Sequence, residues 1–237
     1  MSNKDAQRIF ATPQKGIESD NILIYPKPAQ ELVVVFASMG GAYDDYRYEF
    51  LKLTEDYVCS RVFCRDTERV WYHLGTGGEV NSIPALREKL EEIISELRPP
   101  KVSFLGASTG GYAALLFGHM LKVDIVHAFG PQTFLSEELW SHYDHPTDVW
   151  AEEIEKTRSL ELDPSFRYFD LKEVLEEDNK VTSYHIHLCY KHRVDALHED
   201  RVRFCPGVCF HYYDCEVHSV AAYLKSEGCL MNVIERH

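Results

Sequence analysis

Gly106-Ala107-Ser108-Thr109-Gly110 joins an apolar run, Val102-Ser103-Phe104-Leu105, to a helical pattern, Tyr112-Ala113-Ala114-Leu115-Leu116-Phe117-Gly118. A serine at such a strand-to-helix corner carries its hydroxyl on an exposed, strained turn, and small neighbours let strand and helix approach without a side-chain clash. The helix aims its first N–H groups and its positive dipole end at the same spot, which suits a developing oxyanion. The chemistry this arrangement offers is nucleophilic attack by the Ser108 hydroxyl.

A serine hydroxyl is a weak nucleophile unless an imidazole takes its proton and a carboxylate orients that imidazole. Of the twelve histidines, His218 stands out, because it follows the last strand-like run, Val208–Tyr213, through the short segment Asp214-Cys215-Glu216-Val217 and opens a final helix, Ser219–Ser226. The run before it ends at Tyr190, and Lys191-His192-Arg193-Val194-Asp195 sets Asp195 a few residues beyond. Loops leaving the carboxyl ends of parallel strands gather on one edge of a sheet, so Ser108, Asp195 and His218 are expected to meet there. Asp214 is the rival acid and Asp200 a third choice. Ser38, in Ala37-Ser38-Met39-Gly40-Gly41, is a rival nucleophile, but no glycine stands two residues before it and most of the sheet follows it.

Strand-like runs at Asn21–Tyr25, Leu32–Ala37, Val58–Cys64, Val102–Leu105, Val123–Phe129, Ser183–Tyr190 and Val208–Tyr213 alternate with helical segments. That alternation predicts an α/β protein, a mostly parallel central sheet flanked by helices. The clearest helix is Ser82–Leu97, where Ser82 is the cap, Leu86, Leu90, Ile93, Ile94 and Leu97 form one stripe, and Pro99-Pro100 ends it. Tyr43, Tyr46, Phe50 and Leu53 also lie at helical spacing and read as core. Residues 132–180 interrupt the alternation with far more chain than a crossover needs. Between Glu137 and Asp178 they hold fourteen acidic and four basic residues, a net of −10 out of −13 for the chain. This insertion is expected to be a solvated acidic helical face, or a lid over the site.

In the order and placement of Ser108, Asp195 and His218 after successive strands, residues 21 to 230 resemble the α/β-hydrolase superfamily. The resemblance implies that Ser108 is the nucleophile, His218 the general base and Asp195 the orienting acid. It further implies an oxyanion hole made by the backbone N–H of Thr109 and one from the loop after Leu32–Ala37, where Met39 or Gly40 would donate. The His-Gly-Gly-Gly sequence of one lipase branch is absent, and the antiparallel start usual in the family looks abbreviated. Trp71 and Tyr72, after the third strand, are expected near a substrate pocket.

At 237 residues with 45% apolar and 27% charged residues, a single domain spanning 1–237 is expected, with the insertion as its lid. The charge of −13 argues against nucleic acid and anionic membranes as partners. No leader-like or spanning apolar stretch occurs, and seven cysteines without a Cys-x-x-Cys pair suggest reduced thiols and a cytoplasmic location. His185, His187 and Cys189 share a strand face but lack a completing ligand, so polar partnering is expected there and no metal site. The expected activity is hydrolysis of an ester or thioester of a small acyl substrate through an acyl-enzyme, with no cofactor. Acyl transfer by the same residues, or a non-catalytic binding role for the fold, is the alternative, and the oligomeric state is left open.

Overall fold

The structure, a computed structural model, describes residues 16–27, 30–40, 48–146, 150–177 and 179–235. Eight strands form one sheet: β1 (Ile17–Ser19), β2 (Ile22–Tyr25), β3 (Glu31–Phe36), β4 (Ser60–Cys64), β5 (Lys101–Ala107), β6 (Ile125–Phe129), β7 (Ser183–Cys189) and β8 (Val208–Tyr213). Their spatial order is β1-β2-β4-β3-β5-β6-β7-β8. From β4 to β8 every pairing is parallel, and β1 and β2 add an antiparallel hairpin at one edge. The hairpin turns at Asp20 and Asn21, both left-handed, as a tight two-residue turn demands. The antiparallel start is therefore present, though only three and four residues long per strand. Three residues of β1 carry too little pattern to be read as a strand.

The buried central strands read as near-continuous apolar runs because both faces of the sheet are covered. Leu32, Val34 and Phe36 of β3 pack on one side, with Leu86, Leu90 and Ile93 of α1 (Ile83–Leu97) and Leu115 and Leu116 of α2 (Thr109–Leu121). Val33 and Val35 face the other side, with Val220 and Leu224 of α7 (Val220–Ser226) and Leu230 of α8 (Leu230–Glu235). The Ser82 hydroxyl accepts the Ala85 N–H, so α1 starts at the expected cap. Of the four aromatic and leucine positions read at helical spacing, Tyr43 and Tyr46 lie outside the described residues. Phe50 and Leu53 pack against the second face from a segment of turns rather than a helix.

The insertion carries α3 (Glu137–His142), α4 (Ala151–Glu161) and α5 (Leu171–Leu175). It is anchored to the body, since Phe134, Trp140, Leu171 and Leu175 belong to the first core and Arg201 of α6 (Arg193–Val202) pairs with Asp170. Lys156 pairs with Glu68 at the surface and Arg69 with the buried Glu153, tying α4 to the loop after β4.

Cys189 and Cys215 form a disulfide, with their Cα atoms 4.9 Å apart. This corrects the expectation of uniformly reduced thiols. Spacing alone conceals the pair, because 26 residues separate two positions that meet only when β8 is laid beside β7. No described helix is long and apolar enough to cross a membrane.

Candidate active site

Ser108 sits between the end of β5 and the first turn of α2, with φ 52° and ψ −118°, outside the wells that L-residues favour. The chain can hold it there because the glycines on either side remove two collisions. A Cβ on Gly106 would lie 2.1 Å from the Gly110 carbonyl oxygen, and one on Gly110 would lie 2.1 Å from that of Phe36. The helix start thus presses against the end of β3, from which the chain runs on to Met39, which is itself buried. Ser38, the rival nucleophile, bonds the Glu49 carboxylate through both its hydroxyl and its backbone N–H. A carboxylate there anchors the loop and does not supply the imidazole base that a serine nucleophile needs.

The structure brings Ser108, His218 and Asp195 together across 110 residues of sequence. Ser108 Oγ lies 2.9 Å from His218 Nε2, and His218 Nδ1 lies 2.8 Å from Asp195 Oδ1. Asp195 is only 1% exposed. Burial pushes its carboxyl up, but hydrogen bonds from His192 and His218 outweigh this and hold it below the ordinary carboxylate range. At the back of the group Gly130 adopts φ +54°, and a Cβ there would meet the His218 carbonyl oxygen at 2.9 Å. Asp214 is elsewhere engaged, bonding Lys191 at 2.5 Å and the Tyr190 hydroxyl at 3.0 Å. Asp200 lies on α6 with its carboxylate 4.0 Å from Arg203.

Two residues complete the arrangement that sequence reasoning missed. His192 Nδ1 lies 3.0 Å from Asp195 Oδ1 and 3.4 Å from the Asp195 N–H. The nearer, charged acceptor decides its role, so Nδ1 donates to the carboxylate, and this hydrogen bond raises the imidazole's pKa against the effect of burial. Gln132 reaches Ser108 Oγ through its amide nitrogen at 3.1 Å, which is also 3.3 Å from His218 Nε2. Its amide orientation is fixed by Trp71, whose indole N–H can only donate and lies 3.2 Å from Gln132 Oε1. The available signal was position: Gln132 is the first polar side chain after β6, on the edge where the other site residues leave their strands.

Trp71 and Tyr72 occupy different places. Trp71 is 3% exposed and touches the site through Gln132; Tyr72 is 0% exposed, and its hydroxyl donates to the carbonyls of Ala37 and Cys64. Tyr72 is a core clamp and does not line the pocket. Both residues have left-handed φ, and the Asp66 carboxylate holds their turn by accepting the N–H groups of Glu68, Arg69, Val70 and Tyr72. Ser108 and His218 open instead onto a cleft of about 900 Å³ on the other side, lined among the described residues by Ser38, Phe50, Phe129 and Ala221. It is mainly apolar with the hydroxyl and imidazole at its floor, the usual composition of a small-molecule site.

The chain matches no protein-family model and no curated protein. Solved structures are similar over nearly the whole chain. The capsule O-acetyltransferase of Neisseria meningitidis serogroup A superposes with a TM-score of 0.63 at 13% identity, covering 93% of this chain and 94% of that one. An α/β hydrolase enzyme from the metagenome of lagoon sediments at Mar Chica, Morocco, gives 0.57 at 16% identity, covering 93% and 97%. A hydrolase from Oleispira antarctica gives 0.53 at 13% identity, covering 90% and 93%. With this strand order, this parallel sheet and a serine at the β5 to α2 corner, the chain has the α/β-hydrolase fold.

Proposed function

We propose that the protein cleaves a carboxylic ester or thioester through an acyl-enzyme on Ser108. The observation that carries this reading is the continuous hydrogen-bonded line from Ser108 Oγ through the His218 ring to Asp195, opening on a cleft. As Ser108 attacks the carbonyl, its proton passes to His218 Nε2, while Asp195 holds Nδ1–H and stabilises the imidazolium. The backbone N–H groups of Thr109 and Met39 would receive the oxyanion, and His218 returns the proton to the leaving group. A second nucleophile, deprotonated by the same imidazole, then releases the acyl group.

Acyl transfer to an alcohol is the second reading, and Gln132 would serve an alcohol as it would serve water. Its N–H sits within reach of both Ser108 Oγ and His218 Nε2, where the oxygen of an incoming hydroxyl must lie to be deprotonated. Likeness to a capsule O-acetyltransferase supports the same reading. We assign residues 132–180 the part of a cap, supported by the ion pairs that tie α4 to the loop bearing Trp71.

The test is stopped-flow turnover of an activated ester with and without a panel of alcohols. A stoichiometric burst, absent in Ser108→Ala, is expected. Product that incorporates alcohol in preference to water selects transfer, and product that does not selects hydrolysis. A wild-type rate retained by Ser108→Ala removes both readings.

A further inference from the structure

The sheet carries an unusual row of imidazoles on the face away from α2. His127 of β6, His185 and His187 of β7, and His211 of β8 stack across neighbouring strands, with ring centroids 4.7 to 5.4 Å apart. None of them belongs to the candidate triad. At the outer end of the row the parallel register sets His185 opposite Cys209, and His211 follows two residues later on the same face of β8. One ligand atom from each of His185, Cys209 and His211 lies within 4.8 Å of the others. We propose that these three side chains form a binding site for a divalent transition-metal ion, for which Zn²⁺ is the natural probe.

Three features support the assignment. First, the donor set is two imidazoles and a thiolate, the borderline-soft combination that selects zinc and its neighbours over calcium or magnesium. Second, His185 Nδ1 and His211 Nε2 are 2.9 Å apart, so in the metal-free protein one proton lies between them. Two nitrogens on one tetrahedral zinc stand roughly 3.3 Å apart, given Zn–N bonds of about 2.0 to 2.1 Å, so replacing that proton by the metal parts the rings only slightly. Third, Ser183 Oγ lies 3.1 Å from His185 Nε2. It can accept that N–H and leave the Nδ1 lone pair facing the metal, as outer partners of metal-bound histidines do.

The step balances without another reactant. Zn²⁺ takes the lone pairs of His185 Nδ1, His211 Nε2 and the Cys209 sulfur; the thiol proton goes to solvent, and the proton between the rings moves to His211 Nδ1. Cys209 is exposed and His185 buried, so the ion enters from the sheet edge and water fills the fourth position. Bound there, the metal would pin the edge strand β8 to β7. The sequence tract His185-Ile186-His187-Leu188-Cys189 gave no such set, because Cys189 is committed to Cys215 and two of the three ligands come from, or beside, β8.

The experiment uses untagged full-length protein, stripped with chelator, titrated with Co²⁺ and then Zn²⁺. One equivalent of Co²⁺ should produce a thiolate-to-cobalt charge-transfer band together with tetrahedral d–d absorption, both abolished by Zn²⁺. Cys209→Ser should lose the charge-transfer band, and His211→Ala should weaken binding at least tenfold. Both variants change residues at the sheet edge, and thermal melts check that they fold. Absence of binding at millimolar metal overturns the proposal. So does a signal that survives both substitutions but is lost in His218→Ala, which would put the ion on His192, Asp195 and His218, a second trio of suitable geometry.

Discussion

Single substitutions decide which carboxylate orients His218 and what Gln132 adds beside Ser108. Asp195→Asn should lower kcat by roughly 10⁴, the cost of losing the orienting carboxylate in a triad. Asp214→Asn should leave turnover near wild type, because it disturbs only exposed contacts with Lys191 and the Tyr190 hydroxyl. Steady-state kinetics of the two variants decides between them, and a crippled Asp214→Asn beside a healthy Asp195→Asn would reverse the assignment. Gln132→Ala should lower kcat roughly tenfold, the value of one hydrogen bond of about 1.4 kcal/mol. Trp71→Phe, which removes only the bond orienting the amide, should act in the same direction with smaller effect; unchanged kcat in Gln132→Ala would dismiss it as a bystander. That Ser108, Asp195 and His218 would meet could be read from the sequence, because each follows a recognisable strand. Gln132 and His192 could not, since a polar residue in an exit loop acquires meaning only from what folding sets beside it.

Among the elements, the segments that follow β7 and β8 carry Asp195, in the first turn of α6, and His218, and the Cys189–Cys215 bridge fastens one to the other. It holds the end of β7 six residues before Asp195 and the approach to His218 three residues before the imidazole. Closing a loop of 26 residues is worth about 3 kcal/mol through the unfolded state. Cys215→Ser, or reductant added to the wild type, should therefore lower Tm and slow turnover together. Melts and rates that are identical with and without reductant would show that the bridge does not support the site. The seven longer strands were legible from their apolar runs, most clearly β3 and β5, where burial on both faces leaves little room for polar residues. The β1 strand and the turns at residues 48–56 were not, the first being too short and the second mimicking helical spacing without continuing as a helix.

For the whole molecule, burial of histidine sets the response to acid. Burial lowers the pKa of His73 to about 4 and depresses those of His119, His145 and His198. Unfolded histidine titrates near 6.5, so between that pH and the folded values the unfolded chain binds more protons, and stability falls as pH drops. His73 alone contributes about 3 kcal/mol across that window. Asp195, whose folded pKa is depressed, adds a further loss at still lower pH, as the solution falls through the unfolded carboxylate value toward the folded one. Two groups oppose the trend: His192, whose pKa is raised, and Asp66, whose carboxyl is pushed up to about 6 by burial, but the four depressed imidazoles outnumber them. The urea midpoint should therefore be lower at pH 5 than at pH 7.5; an equal or higher midpoint would contradict this account of the buried imidazoles.

On the proposed reading Ser108 is a nucleophile activated by His218, whose ring Asp195 holds. Treating the folded protein with a fluorophosphonate and mapping the adduct by mass spectrometry tests it most directly, since the reagent captures a serine only where base and oxyanion donors have made it reactive. A single adduct on Ser108 is expected, formed far more slowly in His218→Ala. An adduct on Ser38 or any other residue, or none in correctly folded protein, would contradict it.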